Sequence, residues 1–152
     1  MKRQTGFTLI ELMVTVAIVA VLAAIALPNY TAYLARGKLA EATTNALAMK
    51  TKLEQFYQDN RTYVGACAPG TIAPLPPAYL SGGNPGVLRY STITCPTLTA
   101  TTYTIQATGT DSGIVGLVLT IDQANVRRTV SVPSGWTLPT NNCWVSKKSG
   151  DC

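Results

Sequence analysis

The chain has 152 residues, a formal charge of +5, 47% hydrophobic and 12% charged residues, and no histidine. That length fits one domain, and the lack of histidine excludes His-based catalytic triads and His metal sites. Removing Lys2 and Arg3 from the twelve basic residues leaves ten against seven acidic, a net of +3, too weak a bias to imply nucleic acid or acidic membranes on its own.

Residues 1–6, MKRQTG, form a short polar leader before an apolar run from Phe7 to Leu27 whose one ionisable residue is Glu11. At a helical rise of 1.5 Å per residue the run spans roughly 30 Å, the thickness of a bilayer hydrocarbon core. Lys2 and Arg3 hold the amino terminus in the cytoplasm and send the remainder across. A carboxylate inside such a run costs about 2.5 to 3.5 kcal/mol, so Glu11 calls for a partner. A cut after Gly6 creates a new amino terminus at Phe7, one turn from Glu11. Glu11 then pairs with its own Phe7 nitrogen at i, i+4, or with the Phe7 nitrogen of an adjacent copy. The residues leave both open. An ordinary secretory signal cleaved at Ala24-Ile25-Ala26 fits less well, because the run is too long and Glu11 interrupts it.

Pro28 lacks a backbone donor and loosens or kinks any helix through it, yet helical periodicity resumes at once. Leu39, Ala42, Ala46, Met49, Leu53, Phe56 and Tyr57 make one apolar stripe, with Glu41, Lys50, Lys52 and Glu54 mostly off it. Gly37 is a second soft point. These features predict one helix over 7–59, roughly 80 Å long: a membrane or polymerisation half over 7–28 and an amphipathic half over 29–59.

Residues 60–152 form the expected globular head. Over 60–100 little periodicity is visible, and Pro69, Pro74, Pro76, Pro77, Pro85 and Pro96 predict an irregular connection. Residues 102–108 alternate Tyr103, Ile105 and Ala107 against Thr102, Thr104 and Gln106, and 116–121 place Leu117, Leu119 and Ile121 on one face. Residues 126–132 place Val126, Val130 and Val132 together, with Arg128 on that same inward face. The fold class is α+β: a long spine helix packed on a small antiparallel meander over 101–132, followed by a C-terminal loop region over 133–152.

Cys67, Cys95, Cys143 and Cys152 all lie beyond the membrane segment, and an even number there reads as two disulfides. Of three possible connectivities, Cys67–Cys95 and Cys143–Cys152 are expected, the second tying down a tail that would fray. On the chain-entropy account the short loop contributes roughly 2.7 kcal/mol and the longer one roughly 3.6 kcal/mol.

Together the basic leader, Gly6, Phe7-Thr8-Leu9-Ile10-Glu11, the apolar helix and Leu27-Pro28-x-Tyr30 resemble the type IV pilins, of the class with short leaders and N-methylated phenylalanine. The likeness covers roughly residues 1–60 and the motif is highly specific. It implies cleavage between Gly6 and Phe7 by a prepilin peptidase, methylation of Phe7, and a role for Glu11 in docking subunits, which favours the intermolecular pairing. It also implies the C-terminal disulfide loop. Implied partners are other pilin subunits, the peptidase and methyltransferase, and an inner-membrane assembly platform. The implied location is the inner membrane with a periplasmic head, then an extracellular filament serving adhesion, twitching motility and DNA uptake. The run from Glu54 to Tyr63 resembles minor pilins more than major ones.

No CxxC, P-loop or GxGxxG occurs, no paired carboxylates stand out, and neither an enzyme nor a cofactor is expected. The sequons at Asn29 and Asn60 match a pattern common by chance. Two alternatives compete with a plain pilus subunit. A type II secretion pseudopilin shares the N-terminal motif, but that apparatus more typically stabilises the C-terminal region with calcium, and no calcium-suited cluster or other metal site is visible. A competence pilin would grip DNA through Lys147, Lys148, Arg127 or Arg128, with Trp144 stacking on bases. The plainer account of those basic residues is a solvated face.

Overall fold

The computed structural model describes residues 7–67 and 88–152, and at positions 28 and 29 the backbone alone. The leader, with Gly6, and most of the proline-rich connection lie outside the described residues. One helix, α1 (Leu9–Asn60), precedes four strands: β1 (Ser91–Leu98), β2 (Tyr103–Gly109), β3 (Val118–Asp122) and β4 (Arg127–Ser131). The chain divides into two compact units, with the boundary between Leu34 and Ala35.

In the first unit, α1 opens with a reciprocal cap. Thr8 Oγ1 accepts from the Glu11 amide at 3.3 Å, and Glu11 Oε2 accepts from the Thr8 amide at 3.5 Å. This is the capping box, in which the side chain of each residue satisfies the orphan backbone amide of the other. In the uncut chain the Phe7 nitrogen is itself a peptide amide, and Glu11 is held by Thr8. The apolar run is long enough to cross a membrane, and its large side chains are exposed from Phe7 at 82% to Leu27 at 63%. The backbone is helical through position 28.

In the second unit, Ala35, Leu39, Ala42, Ala46, Met49 and Leu53 form the buried stripe of α1. They share one core with Ile93 of β1, Tyr103, Ile105 and Ala107 of β2, and Leu119 and Ile121 of β3. Alanines at three of the six stripe positions keep that helix face flat. Arg61, at φ 58°, ends the helix in the left-handed region, its amide bonded to the Tyr57 carbonyl at 2.7 Å. The sheet is an antiparallel meander in the order β1-β2-β3-β4. Gly109 ends β2 where any Cβ would collide with the Ile114 carbonyl.

Two expectations need correction. The stretch over 60–100 was expected to be irregular, yet it contains β1. Ser91, Thr92 and Ile93 follow a strand alternation that Pro96 hides. Pro96 is exposed on the edge strand, inside a register shift between Thr94 and Thr97, one of the few places a sheet accepts proline. Of Val126, Arg128, Val130 and Val132, expected together on one inward face, only Val132 packs against the core. Val118 pairs with Ser131 but Leu119 pairs with Thr129, so Val130 is an extra, bulged residue and is 56% exposed. Arg127 and Thr129 therefore lie opposite the inward Ile121 and Leu119, while Arg128 lies opposite Thr120 and faces solvent. The charge that had no inward partner needs none.

Candidate functional site

The candidate site lies where β4 and the β3–β4 hairpin meet the C-terminal loop. Asp122 builds the hairpin: its carbonyl accepts from Asn125 N at 3.0 Å and its Oδ1 from Val126 N at 2.9 Å. Asn125 closes the turn at φ 61°, a conformation asparagine tolerates better than most residues. Lys50 Nζ of α1 donates to Asn125 Oδ1 at 3.1 Å, tying the hairpin tip to the helix.

As the last strand, β4 is an edge with unpaired backbone groups. Thr129 covers it with a side chain. Its hydroxyl donates to the Cys143 carbonyl at 2.8 Å and accepts from Val145 N at 2.9 Å, binding the C-terminal segment alongside. Cys143 is bonded to Cys152, and Cys67 to Cys95, as expected. Within the loop, Ser146 N donates to the Asp151 carbonyl at 2.7 Å and Gly150 N to the Lys147 carbonyl at 3.1 Å, while Thr137 N reaches the Lys148 carbonyl at 2.9 Å.

Trp144, which the DNA-gripping alternative would stack on bases, is not an exposed platform. It is 9% exposed, and its Nε1 donates to the Thr120 carbonyl at 2.8 Å. A buried indole must satisfy its one N–H, and the β3 carbonyl does so. Arg127 lies over the indole, its Cζ 5.0 Å from the ring centroid, within the range of a cation–π contact. Lys147 and Lys148 are exposed, and Lys147 lies 3.8 Å from Asp151. Ion pairs among the described residues join Lys38 to Asp111 and Lys147 to Asp151; Arg127, Arg128 and Lys148 belong to neither.

Two cavities flank Arg127. One of about 550 Å³ is lined by Asn125, Val126, Arg127, Asn142 and the Cys143–Cys152 bridge with Trp144. The other, about 390 Å³, lies between α1 at Leu39, Thr43 and Leu47 and the segment from Trp144 to Ser146. Both have volumes typical of ligand sites.

Sequence reasoning missed a second polar cluster. Glu54 was read only as lying mostly off the apolar stripe, but its carboxylate accepts from Tyr63 Oη at 3.0 Å and Tyr103 Oη at 2.6 Å. Tyr57 stacks on Tyr63, which meets Tyr103 edge-on. No local pattern joins residues so far apart in sequence. The Thr8-x-x-Glu11 cap, by contrast, was written in the sequence as a capping-box signature.

A helix apolar in its first half and amphipathic in its second, a four-stranded antiparallel meander, and a disulfide-closed C-terminal loop together define a pilin. Residues 1–27 match the prokaryotic N-terminal methylation motif, and residues 28–114 match the family described as type IV minor pilin ComP, DNA uptake sequence receptor. The chain belongs to the type IV pilin family. It is 35% identical over 119 residues to the fimbrial protein EcpC of Eikenella corrodens, covering 78% of this chain and 73% of that one. Over 61 residues, 40% of this chain, it is 49% identical to the type IV major pilin protein PilA of Myxococcus xanthus. It is also 49% identical over 63 residues, 41% of this chain, to a fimbrial protein of Moraxella nonliquefaciens. The chain spans 28% of the length of that PilA and 41% of the Moraxella protein. No solved structure matches it.

Proposed function

We propose that the chain is a structural subunit of a type IV pilus, polymerised with other pilin subunits through its apolar helical segment. The observation that carries this reading is exposure. Every large apolar side chain from Phe7 to Leu27 is at least half exposed, while the second unit closes a core of its own. Apolar surface on that scale needs lipid or protein to cover it. The segment is held first by the inner membrane, with the head in the periplasm, and then by neighbouring subunits in an extracellular filament. Gly6–Phe7 is the cleavage point and Phe7 the methylated residue, acted on by a peptidase and methyltransferase before an assembly platform takes up the subunit. Intact mass of filaments sheared from cells tests this. The expected species begins at Phe7, carries one methyl group and holds two disulfides. Recovery of the chain only in membranes, with residues 1–6 attached, refutes it.

A second property is favoured by the description of the family matched over residues 28–114 together with the exposed cations of the site: the filament subunit binds DNA. Arg127, Arg128, Lys147 and Lys148 supply the charge, and the lysines contact phosphates. Duplex binding whose affinity falls steeply with salt, and weakens when Lys147 and Lys148 are both replaced by glutamine, is the expected result. Salt-independent binding, or none, refutes it.

A further inference from the structure

The described tyrosines divide by what they touch. Tyr57, Tyr63 and Tyr103 pack ring against ring, and Tyr90 lies within cation–π range of Lys38 and Arg89. Tyr30 and Tyr33 are bare, 61% and 73% exposed, and neither ring belongs to any of those contacts. Three residues apart on α1, they share one face. Both follow the apolar run closely: Tyr30 lies about 4.5 Å beyond Leu27 along the axis, and Tyr33 about 9 Å. No charge occurs from Leu12 to Ala35. That stretch makes roughly 36 Å of helix, longer than a hydrocarbon core of roughly 30 Å by about the depth of one headgroup layer.

We propose that Tyr30 and Tyr33 form an aromatic anchor that seats in the phospholipid headgroup layer at the periplasmic face of the inner membrane and fixes the depth of the span before assembly. The inference rests on the membrane-held stage of the reading above and assigns the contact that ends the span. A phenol has an apolar body and a polar tip, and it settles where one end is greasy and the other wet. Deep in hydrocarbon its hydroxyl has no partner; in water two large rings stay uncovered. At the level of ester carbonyls and phosphates the ring is covered and the hydroxyl donates. Helix geometry aids the fit. Side chains lean toward the helix N-terminus, so a ring covers the turn before its own Cα. With the amino terminus on the cytoplasmic side, as in that reading, this lean carries both rings back toward the bilayer. A neighbouring subunit can cover the same rings once a filament forms, so the test is made on the unassembled chain.

The full chain is labelled with fluorotyrosine, placed in bicelles of phosphatidylcholine and phosphatidylglycerol, and read by fluorine NMR, with Tyr30→Phe and Tyr33→Phe assigning the two signals. A lipid carrying a nitroxide at its headgroup should erase both. A nitroxide at the acyl-chain end, or a water-soluble paramagnetic chelate, should broaden them less. The buried rings of Tyr63 and Tyr103 should keep their signals in the presence of the chelate, which verifies that the head is folded. Depth is tested with Tyr30→Ser and Tyr33→Ser combined, which removes the rings from residues outside the core. In that variant a fluorophenylalanine at Phe7 should respond to nitroxides at both levels, because an unanchored span slides; in the wild type it should respond to the headgroup nitroxide alone. An unchanged Phe7 response in the variant overturns the anchor. So does erasure of the Tyr30 and Tyr33 signals by the chelate or by the chain-end nitroxide ahead of the headgroup one, since the rings then lie in water or in hydrocarbon. In either case, flotation of the chain with vesicles of the same lipids after an alkaline wash leaves the membrane-held reading standing. A chain that does not float removes that reading, and this proposal with it.

Discussion

Tyr103 donates its phenolic proton to Glu54 at 2.6 Å, joining the second strand to the helix across 49 residues of chain. The same carboxylate accepts from Tyr63, just beyond the end of α1. One acid therefore fixes the distal turn of the helix, the segment leaving it and the sheet. Hydrogen bonds to a charged group contribute about 1.5 to 3 kcal/mol. Tyr103→Phe should destabilise the head by that amount, and Tyr63→Phe, with the longer bond, by less. Denaturant unfolding with tyrosine fluorescence measures both.

That cluster also sets an alkaline limit. Burial, and then the Glu54 carboxylate, push the Tyr63 pKa up to about 12 from its ordinary 10.0, and push Tyr103 up as well. Both native phenols hold their protons above the pH at which unfolded tyrosine releases them. Below pH 10 the two states bind equal protons and the contribution is complete. It is lost as pH rises from 10.0 through about 12. Melting temperature should fall across that window in the wild type, and less steeply in a Tyr63→Phe, Tyr103→Phe double variant.

Glu11 has two separable duties. In the uncut chain it caps α1 with Thr8, and the assembly reading gives its charge to the Phe7 nitrogen of an adjacent subunit. Thr8→Ala removes the cap, worth about 1 kcal/mol, but leaves the carboxylate. Glu11→Ala and Glu11→Gln remove the charge. Filament yield should survive Thr8→Ala and collapse in both Glu11 variants. Equal losses in all three would assign Glu11 to capping alone.

The Cys143–Cys152 bridge closes the loop that Thr129 fastens to β4. Replacing both cysteines with serine should lower head stability by roughly 2 to 3 kcal/mol. The loss should appear first as increased Trp144 exposure, read as a red shift in fluorescence, because Trp144 follows Cys143 directly.

Gly37 has no neighbour within 4 Å of where a Cβ would sit, so packing does not require glycine there. Gly37→Ala should stabilise the helix by about 0.5 to 1 kcal/mol. If the helix loosens at Pro28 and Gly37 as subunits pack, filaments of this variant should also stretch less under force. Unchanged extension would remove Gly37 from that role.

Period and composition determined the apolar run, the amphipathic stripe from Leu39 to Leu53, the alternation of β2 and β3, and the motif around Gly6, Phe7 and Glu11, because each depends on residues a few positions apart. Cysteine count and spacing favoured the pairing that the structure shows. What only the tertiary structure decided involves single exceptions and distant partners. One bulged residue, Val130, turned the parity of β4 and sent Arg128 to solvent. Pro96 concealed an edge strand whose other residues alternate. Trp144 had the composition of a surface platform, yet a β3 carbonyl 24 residues away could satisfy its N–H and hold it inside. Glu54 carried no sign that two tyrosines would converge on it. Hydrogen-bond partners brought together by chain reversal leave no periodic trace, so the cluster at Glu54 and the platform under Arg127 became visible only once the sheet was folded against the helix.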